Sequence, residues 1–254
     1  MKKSLLTIAG FDPSAGAGAL LDLKVFGRLG FHGAAVLTAV TVQNTVRVHE
    51  MVPLPAGLVA DQFEVLAGDI DFAGLKVGMA GLRDNVAAIA KILRAGRARP
   101  RVIDPVFRAS SGAALLEGDA VPEFLPAIRG QATVLTPNLE EAGRLVGRPI
   151  ADVAGMREAA EEIYDLGRIP CLIKGGHLVG DPINLLFDGK TWAIFGRPRI
   201  RKDVHGTGCL FSAALLAYLA KGKALIKACE LATDFTAQAI QAAVRVGRGR
   251  PIFA

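Results

Sequence analysis

Short apolar runs alternate with longer amphipathic stretches along most of the chain, and no other feature of the sequence constrains the fold as strongly. Leu5–Ala9, Ala34–Val42, Leu75–Met79, Val102–Val106, Thr133–Thr136 and Cys171–Lys174 are short, apolar and often bounded by Gly or Pro. Runs of this kind suit strands covered on both faces, where every position is buried. Between them, Ala19–Leu29, Ala56–Ala67, Asn85–Arg94, Leu139–Val146 and Met156–Leu166 carry helical patterns, and the last sets Arg157, Glu161 and Asp165 against an apolar side. The order predicts βαβ units and an α/β fold with a mostly parallel sheet. Ile183–Phe187, Asp188-Gly189 and Thr191–Phe195 predict a hairpin, and so one antiparallel edge. A strongly apolar helix is expected from the His205-Gly206-Thr207-Gly208 turn to about Ala220, and a last one from about Ala224 to Val244. With no internal repeat, linker or composition break in 254 residues, one domain spanning 1–254 is the economical organisation.

Composition removes several classes of function. Charged residues at 21% and hydrophobic residues at 51% exclude a disordered chain. The net charge of +6 suits anionic ligands but is too small and dispersed to argue for nucleic acid, and 6% aromatics is a poor supply of stacking platforms. Arginines cluster at 94, 97, 99 and 101 and again at 245, 248 and 250; solvated helix ends and loops explain them more simply than a polyanion patch. Three cysteines exclude a disulfide framework and fit a reducing, cytoplasmic setting. The apolar start ends at once in Asp12-Pro13, and Cys209–Ala220 falls short of the ~20 residues that span a bilayer, so no membrane anchor is expected.

In a parallel sheet, ligands sit beyond the carboxyl ends of the strands. Gly, Asp, Asn, Thr and His accumulate in the loops expected there. His205-Gly206-Thr207-Gly208-Cys209 precedes a helix: its glycines let backbone approach a ligand, and the helix start offers unpaired N–H groups for an anion, although a plain glycine-rich helix entry fits the local sequence equally. The Lys-Ser/Thr ending of a Walker loop is absent. In the first helical turn the Cys209 thiol could be lowered toward neutrality and act as a general base; the neighbouring glycines favour this over simple packing, the reading for Cys171 and Cys229. Gly16-x-Gly18 lacks the third glycine of a dinucleotide loop, so a small-ligand loop fits better. The amide of Gln43 matches the edge of an aminopyrimidine, or lies in an exposed turn. Asp104 and Asn138-x-x-Glu141 can place carboxylates for Mg²⁺, although Glu141 also suits a helix start. Lys174 can reach a phosphate or snorkel. The histidines lack metal-ligand spacing, and no serine-hydrolase elbow occurs.

Taken in order, these segments resemble the hydroxymethylpyrimidine/phosphomethylpyrimidine kinases of thiamine biosynthesis, in the ribokinase-like superfamily. The likeness is carried by 9–18 (Ala-Gly-Phe-Asp-Pro-Ser-Ala-Gly-Ala-Gly), Asp22-Leu23-Lys24, Gln43-Asn44-Thr45, Lys76-Val77-Gly78-Met79, Asp104-Pro105-Val106, Thr136-Pro137-Asn138, Lys174-Gly175-Gly176-His177 and 205–209. The resemblance implies a three-layer α/β/α sandwich that moves the γ-phosphoryl group of ATP to a pyrimidine CH₂OH, and then to the monophosphate formed. It implies an anion hole at Gly206, Thr207, Gly208 and Cys209, with Cys209 in the place of a catalytic aspartate. Gln43 would read the pyrimidine, with Asp22, Gly10 and Met79 lining the pocket. Thr136, Asn138 and Lys174 would face the nucleotide phosphates, and Asp104 and Glu141 would arrange Mg²⁺. The partner implied is a small molecule, with neither nucleic acid nor membrane, and a homodimer would be ordinary.

The chain also departs from the family's pattern. Phe11 stands where Ser is usual, and Ser110 replaces a Lys in the loop after Asp104-Pro105-Val106. Asp203-Val204 precedes the anion-hole motif in place of Asn-Thr, and Leu210 follows it in place of Thr. A closing Gly-His-Gly-x-Gly-Pro survives only as Gly247-Arg248-Gly249-Arg250-Pro251. Two alternatives follow: a pyridoxal kinase, because pyridoxal also carries a ring-borne CH₂OH, and a non-catalytic pyrimidine-binding regulator on the same scaffold.

Overall fold

A computed structural model describes residues 2–96, 99–108, 112, 115, 116 and 120–254. Nine strands form one sheet: β1 (Ser4–Phe11), β2 (His32–Gln43), β3 (Val48–Pro53), β4 (Phe72–Val77), β5 (Arg101–Ile103), β6 (Val134–Leu135), β7 (Cys171–Gly175), β8 (Ile183–Phe187) and β9 (Trp192–Gly196). Their spatial order is β3-β2-β1-β4-β5-β6-β7-β8-β9. The six from β2 to β7 pair in parallel, as the alternation predicts. Both edges are antiparallel, not one: β3 folds back on β2, and the β8–β9 hairpin continues from β7.

Period-two alternation sorts the strand residues onto two cores. Leu6, Ile8, Ile103, Leu135, Cys171, Ile173 and Leu185 point to one face. Helices α2 (Ala56–Asp69), α3 (Arg83–Ala95), α4 (Val121–Ile128), α5 (Leu139–Val146) and α6 (Val153–Gly167) cover that face. Leu5, Val102, Val134, Leu172 and Leu186 point to the other, beneath α1 (Gly18–Arg28), α7 (Thr207–Ala220) and α8 (Leu225–Ala242). The result is the three-layer α/β/α sandwich, and it explains why the central strands are mostly apolar on both faces.

Two elements escaped the sequence reading. Helix α4 contains Pro122 and Pro126 in eight residues; the first sits where a helix start tolerates the missing N–H. Strand β3 interrupts its apolar pattern with His49 and Glu50 because it is a half-exposed edge. Arg101, grouped with solvated arginines, is instead buried, its guanidinium donating to the Gly96 and Gln131 carbonyls. Ser110 and Arg97 lie outside the described residues. Among the described residues, no helix is long and apolar enough to cross a membrane.

Candidate active site

The carboxyl ends of the parallel strands and the start of α7 enclose a cavity of about 760 Å³. Gly206, Thr207, Gly208 and Cys209 form one wall. The N-cap of α7 is Gly206, which has no side chain to cap the helix, so the positive end of the helix lies at the cavity wall without a side-chain partner from its own N-cap. Glycine is required at 206 in this turn, and at 208 a side chain would enter the site. Gly206 has φ 78°, and a Cβ there would fall 2.0 Å from the Gly16 carbonyl oxygen. At Gly208 a Cβ would lie 3.1 Å from Lys174 Nζ and 3.9 Å from Asp104 Oδ2, inside the space the turn encloses.

Opposite the turn, Lys174 at the end of β7 donates from Nζ to Asp104 Oδ1 at 2.6 Å. Asp104 accepts two further hydrogen bonds: Thr136 Oγ1 donates to Oδ1 at 3.2 Å, and Ser212 Oγ donates to Oδ2 at 3.0 Å. Burial pushes the Asp104 carboxyl up, but the Lys174 and Lys76 ammoniums outweigh it and hold the group below the usual carboxylate range. Glu141 closes a capping box at the start of α5, where its Oε2 accepts the Asn138 N–H at 2.7 Å and the Asn138 side chain accepts the Glu141 N–H at 2.9 Å. Burial, with the Asp104 charge adding to it against Lys174, pushes the Glu141 carboxyl up to about 8.

At the other end of the cavity, the loop after β1 is held by Asp12. Its Oδ1 accepts from Ser14 N and Oγ at 2.9 and 2.7 Å, and its Oδ2 accepts from Ala17 N at 3.0 Å. Burial pushes this carboxyl up as well, but hydrogen bonds from His205 and Ser14 overcome it, so Asp12 is ionised at neutral pH. His205 Nε2, 3.0 Å from Asp12 Oδ2, therefore carries a hydrogen. The same nitrogen lies 3.1 Å from Gln43 Nε2, which places the Gln43 amide beside the His205–Asp12 pair. Gln43 Oε1 accepts from Thr41 Oγ1 at 3.3 Å, and the same hydroxyl also donates to the Phe11 carbonyl at 2.9 Å. Gln43 thus brings an oriented amide to the cavity, and Gly10, Phe11 and Met79 line it beside Gln43. A Cβ at Gly10 would lie 2.7 Å from Met79 Sδ, so the glycine makes room for the methionine.

Most of the residues singled out by sequence meet at this cavity: Gln43, Gly10, Met79, Asn138, Lys174, Asp104, Glu141 and the 206–209 turn all line it. Three expectations need correction. Asp22 does not line the pocket; it is wholly buried beneath it, accepting from Thr7 Oγ1 at 2.6 Å and from Lys76 Nζ at 2.8 and 2.9 Å. Thr136 does not face the phosphates either; it is buried behind Asp104, to which it donates. Nor is the Cys209 thiol lowered. Burial and the nearby Asp104 and Asp22 charges push it up to about 11, against the pull of the Lys76 ammonium and a hydrogen bond from the Gly18 backbone.

Sequence reasoning missed Asp12, His205, Lys76 and Ser212 as site residues. Ser212 lies one helical turn after Gly208, and that spacing was its only local signal. Lys76 lines the cavity with its ammonium buried against Asp22, whose charge outweighs the downward push of burial and keeps it protonated.

The protein-side donors suit a hard cation that keeps most of its water. Asp104 and Glu141 are two carboxylates on the cavity wall, and no group of three or more His, Cys, Asp or Glu that could hold a metal occurs among the described residues. Mg²⁺ is bound in this sparse way, with substrate phosphates and water completing its octahedron.

Three comparisons bear on this geometry. Residues 12–252 match the family model for phosphomethylpyrimidine kinase. The hydroxymethylpyrimidine/phosphomethylpyrimidine kinase of Aquifex aeolicus (strain VF5) is 39% identical, over 97% of this chain and 98% of that protein. The thiamine biosynthesis bifunctional protein ThiED of Geobacter sulfurreducens is 42% identical over 97% of this chain, which spans 51% of that longer protein. Among solved structures, the pyridoxal kinase from Staphylococcus aureus superposes with a TM-score of 0.91 at 32% identity, covering 100% of this chain and 93% of that one, and has been solved with pyridoxal and with ADP.

Proposed function

The chain belongs to the phosphomethylpyrimidine kinase family, and from that membership we propose how its residues carry phosphoryl transfer. It is an ATP-using phosphotransferase of thiamine biosynthesis with the ribokinase-like fold. It acts on the hydroxymethyl group of 4-amino-5-hydroxymethyl-2-methylpyrimidine and then on the monophosphate.

The observation that carries the residue assignment is the uncapped start of α7 opening onto the cavity, with Lys174 and Asp104 across from it. The amides of 206–209 hold the migrating phosphoryl group, and fixed donors of this kind stabilise charge without reorganising as it develops. Lys174 places an ammonium against the phosphates, with Asp104 fixing where that ammonium sits. Asn138, tied into the helix cap, borders the same region. Asp104 and Glu141 are the residues that would hold Mg²⁺, and the ion would neutralise charge on the phosphates there. Gln43, braced through His205 to Asp12, reads the pyrimidine edge.

Cys209 holds the alcohol in line with the phosphorus. Its thiol, raised to about 11, is neutral at pH 7 and is no ready base. Transfer through a loose transition state tolerates this, because the alcohol proton becomes acidic only once its oxygen bonds to phosphorus and then leaves without a strong base.

Pyridoxal is the rival substrate, favoured by the superposition with the pyridoxal complex. Incubation with ATP and Mg²⁺ and either alcohol, followed by mass spectrometry of the products, separates the two. The pyrimidine alcohol is expected to gain one and then two phosphates. Turnover of pyridoxal alone would overturn the assignment, and binding of the pyrimidine with no turnover of either alcohol would favour a regulator.

A further inference from the structure

A second concavity of about 490 Å³ lies behind the wall of the active-site cavity formed by 201–203, which lines both. Its other walls come from the β2–β3 loop at Thr45 and from the chain's C-terminal segment. Five cationic side chains line it, Arg201, Lys202, Arg245, Arg248 and Arg250, against the single carboxylate of Asp203.

Two of these charges are already in use. Lys202 Nζ donates to the Gln241 and Ala243 carbonyls at 3.0 and 2.6 Å, closing the end of α8. Arg250 Nε pairs with Asp203 Oδ2 at 2.9 Å, which uses the one carboxylate. Arg201, Arg245 and Arg248 are exposed and have no hydrogen bond or ion pair among the described residues. Three guanidiniums with no partner among the described residues line one concavity, and their planar forks match phosphate oxygens.

The floor is built backbone. Gly249 N donates to Thr45 Oγ1 at 3.1 Å, and Arg250 N donates to the Thr45 carbonyl at 3.1 Å. A Cβ at Gly249 would fall 1.8 Å from the Thr45 carbonyl oxygen, so glycine is required where the two segments cross. The floor also reaches the catalytic turn, because His205 N donates to the Pro251 carbonyl at 2.9 Å. Here the chain has Gly247-Arg248-Gly249-Arg250-Pro251, so the arginines belong to its own version of this segment.

We propose that this groove binds the phosphate group of a small phosphate ester on the far side of the 201–203 wall, its occupant being the pyrimidine monophosphate held there before it enters the cavity for the second transfer. The identity of the occupant rests on the proposed function; the anion site itself does not. A neutral alcohol gains nothing from such a groove. A phosphate dianion is concentrated beside the cavity by it, and salt screens the effect because the arginines are exposed.

The test uses the full chain, Arg245→Gln/Arg248→Gln, and Lys174→Met. Inorganic pyrophosphate is titrated calorimetrically into each at low and high salt. Wild type is expected to bind at two sites. The double arginine variant should lose one, weakened about tenfold or more, while Lys174→Met keeps that site and weakens the other. A double variant that binds as wild type does overturns the anion site. In kinetics, the same variant should raise KM for the monophosphate about tenfold and leave KM for the uncharged alcohol and for ATP within about twofold. A rise confined to ATP keeps the anion site and overturns its pyrimidine occupant, and an equal rise for all three overturns both. If wild type phosphorylates neither pyrimidine, the proposed function fails while the titration still decides the groove.

Discussion

The Cys209 thiol is the sharpest point at which structure and sequence disagree, and its alkylation by iodoacetamide decides between them. Only the thiolate reacts. A thiol raised to about 11 is ionised to about one part in ten thousand at pH 7, whereas an ordinary cysteine near 8.5 is ionised to about three parts in a hundred. Ionisation alone therefore makes Cys209 about 300-fold slower than a free cysteine at neutral pH. The rate, followed site by site by mass spectrometry, should rise about tenfold per pH unit and show no plateau before about pH 10. Cys171 and Cys229 are buried and should stay unmodified in the folded chain. The pyrimidine alcohol should protect Cys209, because Cys209 lines the cavity proposed to hold it. A plateau with an apparent pKa below 8 would refute the reasoning: the helix start would then outweigh burial and the Asp104 and Asp22 charges, and Cys209 would be the ready base.

Lys76→Met leaves Asp22 buried without its cation, and breaking such a pair costs about 3–5 kcal/mol; urea midpoints should fall accordingly, and Lys76→Met/Asp22→Leu should recover much of the loss. Glu141 sets a pH dependence of stability in metal-free buffer. Its carboxyl rises from 4.5 to about 8 on folding, so between those values the folded chain holds a proton the unfolded chain has released. The stabilisation is complete below 4.5 and fades as pH rises toward about 8. Glu141→Gln should flatten that slope in denaturation curves taken across the window; an unchanged slope would mean that Glu141 does not titrate there.

What could be read from the chain in advance was whatever local periodicity or spacing encodes. The six central strands announce themselves because burial on both faces demands mostly apolar runs, and the 206–209 turn because its backbone needs glycine at 206. Strand β3 and helix α4 stayed hidden for the opposite reason: an edge strand tolerates His49 and Glu50, and Pro122 is harmless only at a helix start that tertiary contacts define. The Asp22–Lys76 pair joins residues 54 positions apart on α1 and β4, and no local pattern links them. That pair misled the reading of Asp22, and the same burial misled the reading of Cys209. A helix start lowers a thiol in isolation, but the desolvation and carboxylates around it depend on which strands lie beneath.

Gly208→Ala tests the anion hole most directly. The added methyl needs no unusual backbone angle, yet sits 3.1 Å from Lys174 Nζ in the space assigned to the phosphoryl group, so Lys174 must give way. Stability and pyrimidine affinity should stay near wild type while kcat for phosphorylation of the alcohol falls about 10²–10³-fold, the range seen when an oxyanion-type donor is lost. A variant that folds, binds the pyrimidine and turns over at the wild-type rate would place phosphoryl transfer somewhere other than the start of α7.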